Sequence, residues 1–332
     1  MVALNLAIPL LPWLQPYWEE LAQYLQQQRV PQALLIHGQK GLGKHYLAQQ
    51  FAQALLCSQL QHDGLACGAC RSCQLFQSET HPDLIQVEPE ETGKPISVAQ
   101  IRQLIGQLSL KPQYDSFRVI IVAPAEQMNK AAANAFLKYL EEPTERTILI
   151  LITDKLAKLP ATVISRCQKL FIATPLADVS LDWLKLQSEQ DAQVLLALAN
   201  GSPLIAKTLS MDGSVALRVQ CFESWCAVGK KATDPVKIAE SWLNLPEETL
   251  LFWITSWLAD MIKCHFDIDV RYLYNPDLQP TLKELSQQLE LVNIFKLYDL
   301  LLVCSDRINS QLNKQLMYEE ILIQWSEFKR GK

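Results

Sequence analysis

Positive charge is in short supply: over 332 residues, 30 Lys and Arg face 35 Asp and Glu, a formal net charge of −5. Such a chain exerts no general pull on nucleic acid, so any DNA contact is expected to be local or shared with partners. Long apolar runs are missing too. The longest candidate for a membrane segment, Leu250 to Ile262, contains Thr255, Ser256 and Asp260 and is too short to span a bilayer. The apolar N-terminus, Val2 to Leu14, is broken by Pro9 and Pro12 and has no basic residue ahead of it. It does not read as a secretory signal, and the expected compartment is the cytoplasm. Low-complexity tracts and fixed-period repeats are absent. What remains, 49% hydrophobic and 20% charged residues, is an ordinary globular composition with room for roughly two or three domains.

A more specific shortage is chemical. The run Val119 to Val122 reads as a buried strand, and in a P-loop ATPase the end of that strand presents an Asp, usually followed by a Glu, to hold Mg²⁺ and orient the attacking water. Here those places hold Ala123 and Pro124, which can neither ligate a metal nor accept a proton. The partner motif is nevertheless present. After the apolar run Ala33 to Ile36 comes Gly38-Gln39-Lys40-Gly41-Leu42-Gly43-Lys44-His45, with the P-loop spacing of a Gly, four residues, then Gly-Lys. Gly38, Gly41 and Gly43 would let backbone N–H groups face phosphate oxygens at a helix N-terminus, with Lys44 reaching the phosphates. The Mg²⁺-binding Ser or Thr is replaced by His45, a poor ligand for a hard cation. A Gly-rich strand-to-helix turn can also be only a tight turn. The expectation is a P-loop architecture without hydrolysis, with ATP or ADP binding left open.

Cysteine is concentrated in one place. Cys57, Cys67, Cys70 and Cys73 give C-x₉-C-x₂-C-x₂-C, a spacing that in the cytosol favours structural, tetrahedral Zn²⁺ over disulfides. His62 is an alternative fourth ligand to Cys57, and a set of thiols in a flexible loop is the plain alternative. Cys167, Cys221, Cys226, Cys264 and Cys304 are scattered and read as buried thiols.

The N-terminal half alternates strands and helices. Strands are expected at Ala33 to His37, Leu84 to Val87, Phe117 to Val122, Thr147 to Thr153 and Leu170 to Ile172. Helices carry Leu47, Phe51, Ala54 and Leu55; Ile101, Leu104, Ile105 and Leu108; and Ala133, Phe136, Leu137 and Leu140, the last starting near Asn129 and stopped by Pro143. This order predicts a parallel sheet flanked by helices. Beyond residue 173 the pattern is helical: Ser180 to Gln190, Asp191 to Asn200 closed by Gly201, then Glu247 to Cys264, Leu282 to Leu291 and Ile294 to Asn309. Trp242, Trp253 and Trp257 are expected in the core rather than in a base-stacking platform.

Arg166, in Thr162-Val163-Ile164-Ser165-Arg166-Cys167, follows the last interior strand. An Arg there can insert into a neighbouring subunit's nucleotide site, or it can simply cap a helix or make an exposed salt bridge.

The P-loop, the cysteine quartet, His81-Pro82-Asp83, the stretch from Asn134 to Pro143 and Ser165-Arg166-Cys167 together resemble the bacterial clamp-loader AAA+ subunits. The altered phosphate and metal positions make the chain similar to the delta-prime type of DNA polymerase III subunit rather than to the ATP-hydrolysing gamma/tau type. The resemblance implies an AAA+ P-loop parallel-sheet domain at residues 1–173 with an inserted zinc module at 57–73, a small helical lid at 174–213, and a helical collar at 214–332. It implies that Arg166 is an arginine finger acting in trans on a gamma/tau motor subunit. It places the chain in a five-membered ring with gamma/tau and delta subunits that loads a sliding clamp on primed DNA, with no membrane involved. Thr153 matches a polar sensor, and Leu204 in Gly201-Ser202-Pro203-Leu204 stands where active subunits carry a nucleotide-sensing Arg. An active gamma-type ATPase, supported by Lys44 but opposed by His45, Ala123, Pro124 and Leu204, is the alternative reading. A free-standing zinc DNA-binding module is disfavoured by the net charge and by the lack of a basic or aromatic patch around the cysteines.

Overall fold

A computed structural model describes residues 10–91, 93–108, 117–141, 144, 146–307 and 313–328. The expected helix stop at Pro143, most of the N-terminal apolar stretch and the far end of the Ile294 to Asn309 segment lie outside the described residues. The chain divides into two compact units, Met1–Val179 and Ser180–Lys332.

The first unit follows from its apolar runs. Its elements are α1 (Gln15–Gln26), β1 (Ala33–Gly38), α2 (Lys44–Leu56), α3 (Arg71–Gln77), β2 (Leu84–Val87), α4 (Val98–Leu108), β3 (Arg118–Val122), α5 (Lys130–Glu141), β4 (Thr147–Thr153), α6 (Ala161–Ile164) and β5 (Gln168–Ile172); α7 (Ala177–Lys185) spans the division between the units. The five strands form one parallel sheet in the order β2-β3-β4-β1-β5. Parallel neighbours cannot be joined by hairpins, and here helices intervene between successive strands. Every residue of β3 and β4 is buried, as continuous Val/Ile/Leu runs covered on both faces must be. One side of the sheet packs on α4 and α5 through Ile101, Leu104, Phe136 and Leu140. The register sets His37 beside Thr153 and Gly38 beside Ile172, so the ends of β1, β4 and β5 meet at one edge.

The second unit is helical among its described residues. A small core of Leu184, Leu195, Leu196 and Ala206 joins α7, α8 (Ala192–Leu198) and α9 (Pro203–Met211). A larger one, containing Trp225, Trp257, Trp325 and Tyr318, joins α10 (Ser214–Gly229), α11 (Pro235–Trp242), α12 (Glu247–His265), α13 (Gln279–Gln288), α14 (Leu291–Asp306) and α15 (Lys314–Glu327). Trp242, Trp253 and Trp257 are all buried in it. The expected helix over 282–291 is displaced: α13 starts at Gln279 and ends at Gln288, because Leu289 and Glu290 are extended and Leu291 begins α14. The fully buried Asp260 accepts hydrogen bonds from the amides of Tyr274 and Asn275 and from the Asn275 side chain, while Arg218 donates to Asn275 Oδ1 and pairs with Asp277. Buried charges persist only with such partners, and these pin the Asn275-Pro276 turn. Among the described residues no single helix is long and apolar enough to cross a membrane.

Candidate functional site

The glycine-rich turn joins β1 to α2. Gly38, with φ near +151°, leaves no room for a side chain: a Cβ would lie 2.3 Å from the Ile172 carbonyl oxygen on β5. Gly43 precedes α2 in the left-handed conformation, φ near +86°, and its carbonyl accepts from the Leu47 amide. Trp13, buried in the turn before α1, donates its indole N–H to the Leu42 carbonyl at 2.9 Å. Lys44 is buried, and its ammonium is surrounded from within the chain. It donates to the carbonyls of Gly38 at 2.8 Å and Gln39 at 2.6 Å and pairs with Asp154 Oδ1 at 2.6 Å. His45 shares a 3.0 Å hydrogen bond with Gln49.

β3 ends at Val122, and Ala123 and Pro124 follow it directly. The next acid along the chain is Glu126, two residues further on. It turns toward the end of β4 and accepts from the Asp154 amide at 3.2 Å. Thr153 is fully buried, its hydroxyl oxygen accepting from the Lys155 amide at 3.1 Å. Asp154, Glu126 and Trp13 are therefore part of this site and were not anticipated. Asp154 directly follows Thr153, yet its relevance depends on β4 lying beside β1, which local pattern does not reveal.

The four cysteines converge. Their sulfurs all lie within 4.8 Å of one another, with Cys57 to Cys70 at 3.9 Å and Cys67 to Cys73 at 4.0 Å. Zn–S bonds of about 2.3 Å in a tetrahedron put sulfurs about 3.8 Å apart, so this cluster has the dimensions of a four-thiolate metal site. Backbone amides aim the sulfurs: Cys67 N–H donates to Cys57 Sγ, Cys70 N–H to Cys67 Sγ, and Cys73 N–H to Cys70 Sγ, at 3.3 to 3.4 Å. Burial pushes the Cys70 thiol up, but the Ser58 hydroxyl and the Cys73 and Ser58 amides outweigh it and bring it down to about 6. Burial holds the Cys57 and Cys73 thiols up. The cluster contains Cys57, not the exposed His62. It is tied to the sheet through Ser72, which donates to the Leu56 carbonyl and bonds to His81, whose Nδ1 accepts from the Asp83 amide.

Arg166 sits in the turn between α6 and β5 and is exposed. It donates to the Thr162 carbonyl at 2.9 Å and pairs with Glu141, the last residue of α5. Both plain contacts anticipated for it, a helix carbonyl and an ion pair, are made within the chain. Leu204 follows Pro203 in the first turn of α9, whose N-terminal flank is Ser202.

Residues 14–175 match the family model described as DNA polymerase III, delta subunit, and residues 214–327 match that described as DNA polymerase III, delta subunit, C terminal. The chain is 35% identical to the DNA polymerase III subunit delta′ of Pseudomonas aeruginosa over 321 residues, covering 95% of this chain and 97% of the relative. It is 32% identical to that of Haemophilus influenzae, covering 78% and 79%. Among solved structures, a DNA polymerase III gamma subunit-related protein of Thermotoga maritima is similar in fold, with a TM-score of 0.50, 18% identity, and coverage of 93% of this chain and 98% of that one.

Proposed function

The chain belongs to the DNA polymerase III delta-prime subunit family, and from that membership we infer that it is the non-hydrolysing subunit of a clamp loader, helping to place a sliding clamp on primed DNA. The observation that carries the non-hydrolysing part is the end of β3, where Ala123 and Pro124 stand in place of the acids that would hold Mg²⁺ and orient water. His45 at the metal-binding hydroxyl position and Leu204 at the sensing position point the same way. The active gamma-type alternative rests on Lys44, but that ammonium is already bonded inside the chain.

In this reading the architecture is of AAA+ type, with a P-loop domain at 1–173, a lid at 174–213 and a collar at 214–332 that joins gamma/tau and delta subunits in a ring of five. The separate small core of α7 to α9 and the separate match at 214–327 support that division. Arg166 acts in trans, its guanidinium leaving Glu141 to neutralise charge developing on the phosphoryl group at an adjacent motor subunit. Cys57, Cys67, Cys70 and Cys73 hold a structural Zn²⁺, which supplies a cross-link for a segment with little core of its own. The protein works in the cytoplasm.

The test is reconstitution with gamma/tau and delta subunits, followed by gel filtration and DNA-dependent ATPase assays. Assembly is expected, with ATP turnover by the complex and none by this chain alone. Failure to assemble, or turnover by the isolated chain at the rate of the complex, would overturn the reading.

A further inference from the structure

The P-loop here is shaped for phosphate, yet the charge that should meet phosphate is already spoken for. Gly41 and Gly43 hold left-handed conformations, φ near +78° and +86°, and α2 opens directly from the loop. An ammonium has three N–H donors. Those of Lys44 meet three acceptors: two loop carbonyls, Gly38 and Gln39, and the Asp154 carboxylate.

Asp154 does not arrive there by chance reach of a surface side chain. The pairing of His37 with Thr153 sets the residue after β4 beside the start of the loop. Its amide is held by Glu126 Oε1, and the turn that follows is held by the bond from the Lys155 amide to the Thr153 hydroxyl. On the other side, the Trp13 indole fixes the Leu42 carbonyl. Lys44 is only 4% exposed, so it requires an anionic partner, whereas Asp154 is 31% exposed. A nucleotide's phosphates would have to displace the carboxylate and then leave a negative group unpaired beside them, which like-charge repulsion opposes.

We propose that Asp154 is an intramolecular stand-in for phosphate, closing the P-loop against nucleoside triphosphates by pairing with Lys44. The loop is then a latent polyphosphate site, not a dismantled one. This deepens the non-hydrolysing reading and rests on it for the role of the loop. It differs in what it forbids: the missing acids prevent turnover, while Asp154 prevents binding.

The experiment is calorimetric titration of ATP, with and without Mg²⁺, into the full chain. Asp154→Asn is expected to bind ATP at least about tenfold more tightly than the unmodified chain, as loss of one competing ion pair implies. Adding Lys44→Ala to Asp154→Asn should abolish that gain. Glu91→Gln, which removes the same unit of charge from an exposed ion pair with Lys94 that takes no part in this site, should not reproduce it. Equal affinity of Asp154→Asn and the unmodified chain, persistence of the gain without Lys44, or the same gain in Glu91→Gln would each overturn the proposal. Asp154→Ser serves if the Asn variant does not fold. The unmodified chain gives an independent reading: its Gly41 and Gly43 amide resonances should not move with inorganic tripolyphosphate, and saturation at micromolar levels would overturn the closed loop. Tight binding of ATP by the unmodified chain without turnover would overturn the closed loop alone, whereas turnover would overturn the non-hydrolysing reading with it, so the two failures are distinguishable.

Discussion

The Trp325 indole on α15 occupies the space into which a side chain on Gly229 of α10 would point: a Cβ there would lie 2.6 to 2.9 Å from three ring atoms. Trp325 cannot easily give way, because its N–H donates to the Trp225 carbonyl at 2.8 Å and its ring stacks on Trp225 with centroids 3.6 Å apart. Ala is the better helix former by about 1 kcal/mol, but overpacking a filled core costs about 1 to 3 kcal/mol. Gly229→Ala is therefore expected to destabilise the helical unit, seen as a lower urea midpoint. An unchanged or raised midpoint would show that the indole yields at no cost.

The cysteine cluster predicts about one zinc per chain by elemental analysis after purification without chelator. Structural zinc contributes on the order of 10 kcal/mol to the folding of small metal-dependent modules. Cys67→Ser or Cys70→Ser should accordingly speed amide exchange in the Cys57 to Cys73 segment while leaving the Trp225 core protected. Metal-free protein with full protection of that segment would count against the assignment.

Arg166→Ala should leave the reconstituted complex assembled and its nucleotide binding largely intact while lowering DNA-stimulated ATP hydrolysis. An arginine finger contributes about 10³-fold or more at its own site, and the loss for the whole complex is smaller because other motor sites keep theirs. Arg166→Lys should rescue poorly, since one ammonium does not reproduce a planar fork of donors. Unmodified ATPase and clamp-loading rates in intact Arg166→Ala complexes would rule out the role.

Burial pushes the Cys167 and Cys221 thiols up from 9.0 to about 11. A raised acid pKa in the folded chain means that stability is complete below the unfolded value and declines as the pH climbs from about 9 to about 11, where only the unfolded chain ionises. The expected loss is about 1 to 2 kcal/mol per thiol. Urea denaturation at pH 8 and pH 10.5 should register it, and Cys221→Ala should show a shallower decline than the unmodified chain.

Much of the first unit was legible in order. Thr147 to Thr153 and Leu84 to Val87 are strands as read, because a run of β-branched and aliphatic residues bounded by turn residues leaves little choice. Cys57, Cys67, Cys70 and Cys73 announce their convergence by spacing alone. α1 was not legible, since the two Trp residues that anchor that segment are bonded to carbonyls at Leu42 and Asp63, far along the chain. Nor were the partners of Lys44 and Arg166. Asp154 and Glu141 look like any surface acid until the sheet order and the ends of α5 and α6 bring them close.

Trp13 and Trp18 give this architecture an optical consequence. The first reports through its indole on the Leu42 carbonyl of the P-loop, the second on the Asp63 carbonyl between Cys57 and Cys67, and both rings are buried. One short N-terminal segment thus carries two separately addressable fluorophores. In single-tryptophan variants, emission from position 13 would follow the opening of the loop in real time, and emission from position 18 the loading and loss of metal.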